Sequence, residues 1–300
     1  MLQVYHSPSP HPSEDPIRPE GRAHFPREYG KMKPMKLSRL PWKVAVKALL
    51  VGAALAVLIL WLEFTPAGLL GKTVGIGYAV CHRLPDHSPF FGTVQFPLCF
   101  RCSGMYLAAL TTWLWLHFTA PKRTGFPRGA TAALLGLFFA AWAGDGLNAF
   151  LHDFIGRSLY SPDNTLRLIT GLGMGIVMGT LLYAVIQQTF WIAREPEPVL
   201  DLPRLAGLLF PVAGMGGLML WRPEALLLPL AVLSTLTVLG VLTLVYTAFA
   251  VGLRRRENTA RTWWDLRWPL LAGCTVALGQ ILALDFLRYI LTQSWVGVPR

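Results

Sequence analysis

The chain is short of charge. Asp, Glu, Lys and Arg make up 14% of its 300 residues, against roughly 25% in a soluble domain. Acidic groups are the scarcer kind, 16 against 27 Lys and Arg, which leaves a formal charge of +11. A globule of this size cannot clothe itself in so few charges, so a soluble enzyme and a disordered hub are both excluded. Cysteine is scarce as well. Four residues cannot supply the framework of a secreted disulfide scaffold. The first 43 residues also lack a basic n-region running directly into an apolar core. The first apolar segment is therefore expected to act as an uncleaved signal-anchor.

What the chain has instead is apolar length. The set AVILMFWYC reaches 53% before the 28 glycines are added, and it comes in runs. Val44–Phe64 is long enough to cross a hydrocarbon core, which takes about 20 residues. Six further runs follow: Gly104–His117 (with a possible start near Leu98), Ala130–Phe150, Leu166–Trp191, Leu205–Trp221, Ala225–Val251 and Leu270–Ile290. The expected fold is all-α, a polytopic transmembrane helix bundle of about seven spans. Residues 67–80 are apolar but short and rich in glycine, which predicts a re-entrant or interfacial segment. Three regions follow: a disordered basic cytoplasmic tail over 1–43, a membrane domain over 44–192 and a three-span extension over 193–300. Gly171, Gly173, Gly175 and Gly179 predict close helix packing within the fourth span.

The basic residues sit between the apolar runs, so the net charge is an orientation signal and not a nucleic-acid footprint. Lys31 to Lys47 approach the first span. Lys122, Arg123 and Arg128 follow the second, Arg194 and Arg204 the fourth, and Arg254, Arg255, Arg256, Arg261 and Arg267 the sixth. With seven alternating spans, all of these share one side. That places the N-terminus in the cytoplasm, the C-terminus outside, and the multi-pass chain in the cell membrane. The tail histidines His6, His11 and His24 read as solvated linker residues. Membrane lipids are the expected partners, together with a membrane-embedded small-molecule substrate; the chain leaves the oligomeric state open.

Three of the four cysteines fall close together in "CHRLPDHSPFFGTVQFPLCFRCSG". Two thiolates separated by two residues form a common half of a tetrahedral metal site. Cys99 and Cys102 supply that half, and Cys81 and His82 are the candidates to complete it, with zinc the natural ion for thiolates. Two other chemistries remain open. Cys99 at a helix N-terminus beside Arg101 suits thiol–disulfide exchange, with Cys81 as a resolving thiol. A static disulfide is equally permissible outside the cytoplasm. His87 is a further possible ligand, although "PDHSP" reads first as an exposed turn. Cys274 reads as a buried apolar side chain.

A second signal is polar. Asp145 and Asn148 share a helix face at i,i+3, and Asn164 precedes Arg167 at the start of the fourth span. A carboxylate near a bilayer needs a partner, and Arg167 or Arg157 is the expected one. Asp145 and Arg167 are the candidate catalytic residues of a polar pocket; a structural ion pair is the alternative. Asp285 and Arg288 are expected to pair within the seventh span.

These elements, in order, resemble the DUF2085 family of prokaryotic membrane proteins. The resemblance rests on Cys81, His82, Pro85 and Ser88; on Pro97, Leu98, Cys99, Arg101, Cys102 and Gly104; on Asp145 and Gly146; and on Asn164, Arg167 and Gly171. It spans roughly residues 75–180. It implies that the cysteine loop and the Asp145/Arg167 pair form one unit, and it supplies no activity. The functional expectation is a membrane protein that binds zinc through its Cys-His and CxxC groups. The alternatives are a thiol–disulfide oxidoreductase, or a transporter or scaffold held by a disulfide.

Overall fold

A computed structural model describes residues 42–192 and 194–296. The tail expected up to residue 43, apart from its last two positions, lies outside the described residues, as do its three histidines. Among the described residues the fold is an all-α bundle of eight α-helices: α1 (Trp42–Phe64), α2 (Gly68–Val80), α3 (Phe100–Thr119), α4 (Gly129–Ile155), α5 (Asn164–Phe190), α6 (Leu202–Trp221), α7 (Leu227–Leu253) and α8 (Arg267–Thr292). Six of them are long and apolar enough to cross a membrane. They present Leu49, Phe139, Phe210 and Phe249 outward, an apolar exposure that water does not tolerate and a bilayer does. The short α2 falls where the re-entrant or interfacial segment was expected. At about 1.5 Å per residue it is too short to cross.

The seventh long helix, α3, is less apolar, and its position accounts for this. It runs through the middle of the bundle and packs on α5, α6 and α7, so much of its surface meets protein and little meets lipid. The α3–α5 contact is the most extensive between helices among the described residues. A methyl group at Gly171 would overlap the backbone carbonyl of Arg101, and one at Gly175 that of Met105. This is the small-residue packing the sequence predicted. Gly173 differs from its neighbours and faces Phe138 of α4.

Local chemistry sets the helix ends. Asp163 accepts a hydrogen bond from the Leu166 N–H at 2.9 Å, and Asp201 one from the Arg204 N–H at 3.1 Å; these satisfy donors that a helix start otherwise leaves free. At the other end of α4, Gly156 adopts φ 70°, the left-handed cap that glycine provides without strain.

The ends of the helices gather into two faces. On one, the Lys122 carbonyl accepts from Glu195 N–H, Trp191 bridges Ala260, and Arg204 Nε reaches the Thr119 carbonyl. The three basic loops therefore meet. On the opposite face, Asn164 donates to the Asp86 carbonyl, Tyr78 to the Ser294 carbonyl and Arg288 to the Cys81 carbonyl. The cysteine loop, the α4–α5 loop and the C-terminal end of α8 meet there. The seven long helices thus alternate between two faces, with the short α2 at one of them.

Candidate functional site

The cysteine loop closes because its two ends are forced together. Gly77 of α2 lies against the Pro97 backbone so tightly that a methyl group would overlap its carbonyl. A short antiparallel hairpin, Phe90–Phe91 with Val94–Gln95, turns the chain back. Phe91 and Phe96 then enter the core with ring centroids 5.4 Å apart. Cys81, just past α2, thereby comes to Cys99, just before α3, and the Cys99 N–H donates to Cys81 Sγ at 3.2 Å.

The sulfur atoms of Cys81, Cys99 and Cys102 all lie within 4.8 Å of one another. All are free thiols, as is Cys274, so the static disulfide is not the state described. Cys81 and Cys99 are buried and Cys102 half-buried. Hydrogen bonds from Cys102 and then Cys81 hold the Cys99 thiol well below its ordinary pKa. At Cys81 the bond with Cys102 pulls downward, but Cys99 and burial outweigh it and push the thiol up to about 12. The arrangement is three sulfurs grouped at a helix N-terminus, with the Cys99 thiol the most acidic of them.

His82 does not join this triangle. Its exposed ring turns to His87, with Nε2 3.2 Å from His87 Nδ1. His87 is not the exposed turn residue expected; it is 5% exposed. Its Nε2 meets Arg167 Nη2 at 3.0 Å and Asp153 Oδ2 at 3.6 Å. A guanidinium only donates, so His87 Nε2 accepts from Arg167 and its proton sits on Nδ1, facing His82. Burial, then the Arg167 charge, lowers its pKa to about 4. Arg167 also donates to Asn164 Oδ1 at 2.9 Å.

The predicted Asp145 partner is therefore corrected. Neither Arg167 nor Arg157 reaches it. Arg101, in the first turn of α3, pairs with Asp145 Oδ2 because the α3–α5 contact brings that turn against α4 and α5. Tyr160 Oη donates to Asp145 Oδ1 at 2.9 Å and Thr170 Oγ1 to Oδ2 at 3.3 Å. Asn148, on the same face, holds the α4–α5 loop through the Leu159 N–H at 2.7 Å and the Tyr160 carbonyl at 3.0 Å. Asp145 and Arg167 thus occupy one polar cluster beside the cysteines through different partners. An apolar cavity of about 510 Å³ between α4, α5 and α6 is lined by Thr170, one residue from the Asp145 carboxylate.

Arg288 supplies a contact that sequence reasoning missed. It does not pair with Asp285, whose buried carboxylate oxygens have no hydrogen-bond partner among the described residues. Its guanidinium instead donates to the carbonyls of Tyr78, Cys81 and His82 at 2.5, 2.6 and 2.8 Å. These are carbonyls that the end of α2 leaves open. The i,i+3 spacing to Asp285 pointed elsewhere, and no local signal marks a contact this distant in sequence.

Comparisons with known proteins converge on this region. A family model described as a predicted membrane protein, DUF2085, matches residues 81–181. An uncharacterised protein of Methanothermobacter thermautotrophicus is 33% identical over 103 residues, which cover 34% of this chain and 83% of the relative. No solved structure matches the chain. The matched segment contains all three clustered cysteines, Arg101, Asp145 and Arg167, and leaves out α1, α2, α6, α7 and α8.

Proposed function

The chain belongs to the DUF2085 family of predicted membrane proteins, and on that premise we propose that Cys81, Cys99 and Cys102 hold a metal ion at one face of the bilayer. Zinc is the ion their chemistry favours, since three thiolates make a soft, redox-silent donor set. The observation that carries this reading is the convergence of the three sulfurs within 4.8 Å without a sulfur–sulfur bond. Thiolates about 2.3 Å from a tetrahedral zinc stand about 3.8 Å apart, a spacing the triangle accommodates. The fourth position belongs to His82, after its ring leaves His87, or to an outside ligand.

The polar cluster gives the site a second element. Arg101 with Asp145, and Arg167 with His87, line its flank, and the apolar cavity beside Thr170 offers a lateral route for a membrane-embedded small molecule. The basic-loop face is the cytoplasmic one by the positive-inside rule, so the site and the C-terminus lie outside the cytoplasm.

Metal analysis of the detergent-purified full chain tests the reading. About one zinc per chain is expected, lost in Cys99→Ser/Cys102→Ser. Background metal in folded protein prepared without chelators overturns it. Thiol–disulfide exchange is the competing reading, favoured by the same lowered Cys99 thiol. Reversible interconversion of Cys99 and Cys102 between thiol and disulfide at ordinary potentials, without bound metal, would establish that chemistry instead.

A further inference from the structure

The basic-loop face carries a second cavity, about 550 Å³, at the far end of α3 and α5 from the cysteines. Its walls are aromatic: Trp113, Tyr183, Trp191 and Trp263 line it, with Trp191 and Trp263 edge-to-face at 4.9 Å. Its cations are Lys122 and Arg261, both exposed, and no carboxylate lines it. Among the described residues neither cation makes an ion pair. The nearby acid Asp265 is engaged by the backbone N–H groups of Arg261 and Thr262.

This socket adjoins a second space. Trp113 also lines an apolar cavity of about 310 Å³ between α3, α5 and α7, with Leu110, Gly179, Leu182, Leu233 and Gly240. The two cavities occupy successive turns of the same helices: Gly179 and Leu182 of α5 line the apolar one, Tyr183 and Gln187 the aromatic one. Along α7 the apolar walls run from Leu244 back to Leu233, which is about 16 Å of helix and about half of a hydrocarbon core roughly 30 Å thick. Trp113, at the junction, has a buried indole N–H with no acceptor among the described residues.

We infer that the two cavities together form a binding site for one anionic phospholipid, with its phosphate head between Lys122 and Arg261 and an acyl chain in the groove along α7. The match is one of charge, polarity and length. Unpaired cations at the mouth complement a phosphate, aromatic side chains suit the interfacial depth, and the lipid's phosphate or ester oxygens supply the acceptor that Trp113 lacks. The groove then accommodates one leaflet's length of hydrocarbon. This site is independent of the cysteine cluster on the opposite face.

Native mass spectrometry of the detergent-purified full chain tests it, with phosphatidylglycerol and phosphatidylcholine of identical acyl chains as probes. One phosphatidylglycerol should be retained in preference to phosphatidylcholine. Lys122→Ala/Arg261→Ala, at exposed positions, should erase a preference of roughly thirtyfold. Gly240→Leu should weaken both lipids, because a side chain there meets open space in the groove and fills it. Inorganic phosphate should displace neither lipid. The proposal is overturned if the unsubstituted chain holds both lipids equally, if the double variant keeps the preference, if Gly240→Leu retains lipid unchanged, or if inorganic phosphate competes.

Discussion

Arg101 and Asp145 lie 44 residues apart in sequence, and the Arg101 guanidinium meets both the carboxylate and the backbone carbonyl of Asp145. Their side chains are 15% and 2% exposed. The pair joins the N-terminal turn of α3, which carries Cys102, to the part of α4 that faces the α4–α5 loop. Among the described residues it is the one arginine–carboxylate ion pair on this face, and most of its energetic consequence appears when one partner is lost.

Arg101→Met strands a buried carboxylate and should destabilise the fold by about 3–5 kcal/mol. Asp145→Leu should do the same from the other side, and it also removes the acceptor of the Tyr160 hydroxyl. The double variant Arg101→Met/Asp145→Leu should lose much less than the sum. Thermal unfolding in detergent of the four proteins closes this cycle; strict additivity would show that the two residues do not depend on each other.

The two glycines of the family pattern outside the cysteine loop should respond oppositely. Alanine at Gly171 overlaps the Arg101 carbonyl and must push α3 from α5, at a cost of about 1–3 kcal/mol. Alanine at Gly146 meets nothing within 4 Å and sits inside α4. It should leave the protein unchanged or stabilise it by up to about 1 kcal/mol. Unfolding midpoints of the two variants decide the matter.

His87 makes stability depend on pH. The unfolded imidazole titrates near 6.5, while burial and the Arg167 charge hold the folded one at about 4, against a smaller opposing pull from Asp153. Neutral His87 therefore favours the fold. Its contribution is complete above about pH 6.5 and is lost as the pH falls toward 4. The stability gap between the protein and His87→Gln should shrink across that interval. A gap that stays constant would mean that the imidazole does not titrate in this window.

Arg288 should control the cysteine site without touching a sulfur. Arg288→Met leaves the carbonyls of Tyr78, Cys81 and His82 without their donor. The expected loss is at least about 1.5–3 kcal/mol. If the triangle holds zinc, transfer of that zinc to a chromogenic chelator should also be faster in the variant. Equal transfer rates would confine Arg288 to a purely mechanical role.

The helices were legible because hydropathy and length are properties of contiguous residues. Each expected span is a helix, with ends displaced by a few residues. The triangle of sulfurs was legible from spacing, since CxxC at a helix start brings two sulfurs together and the loop returns Cys81 to them. Partner choice was not legible. Asp145 was expected to pair with Arg167 or Arg157 because a carboxylate near a bilayer needs a partner, yet the α3–α5 glycine contact delivers Arg101 to it and leaves Arg167 to His87. His87 was read as exposed because Pro, Asp and Ser surround it. Its burial comes from the α4 and α5 ends, which local composition does not encode. The Asp285–Arg288 spacing misled for the same reason: helical proximity was satisfied, and the α2 carbonyls took the guanidinium.

The Arg288 contact also sets an order of assembly. The residues that cluster at the site between Cys81 and Arg167 are complete once α5 has been made, but the side chain that fixes Cys81 arrives from 207 residues further along the chain. Until α8 has been made, the carbonyls of Tyr78, Cys81 and His82 lack this donor. A site built almost wholly from earlier residues is thus tied down by α8, the last helix among the described residues.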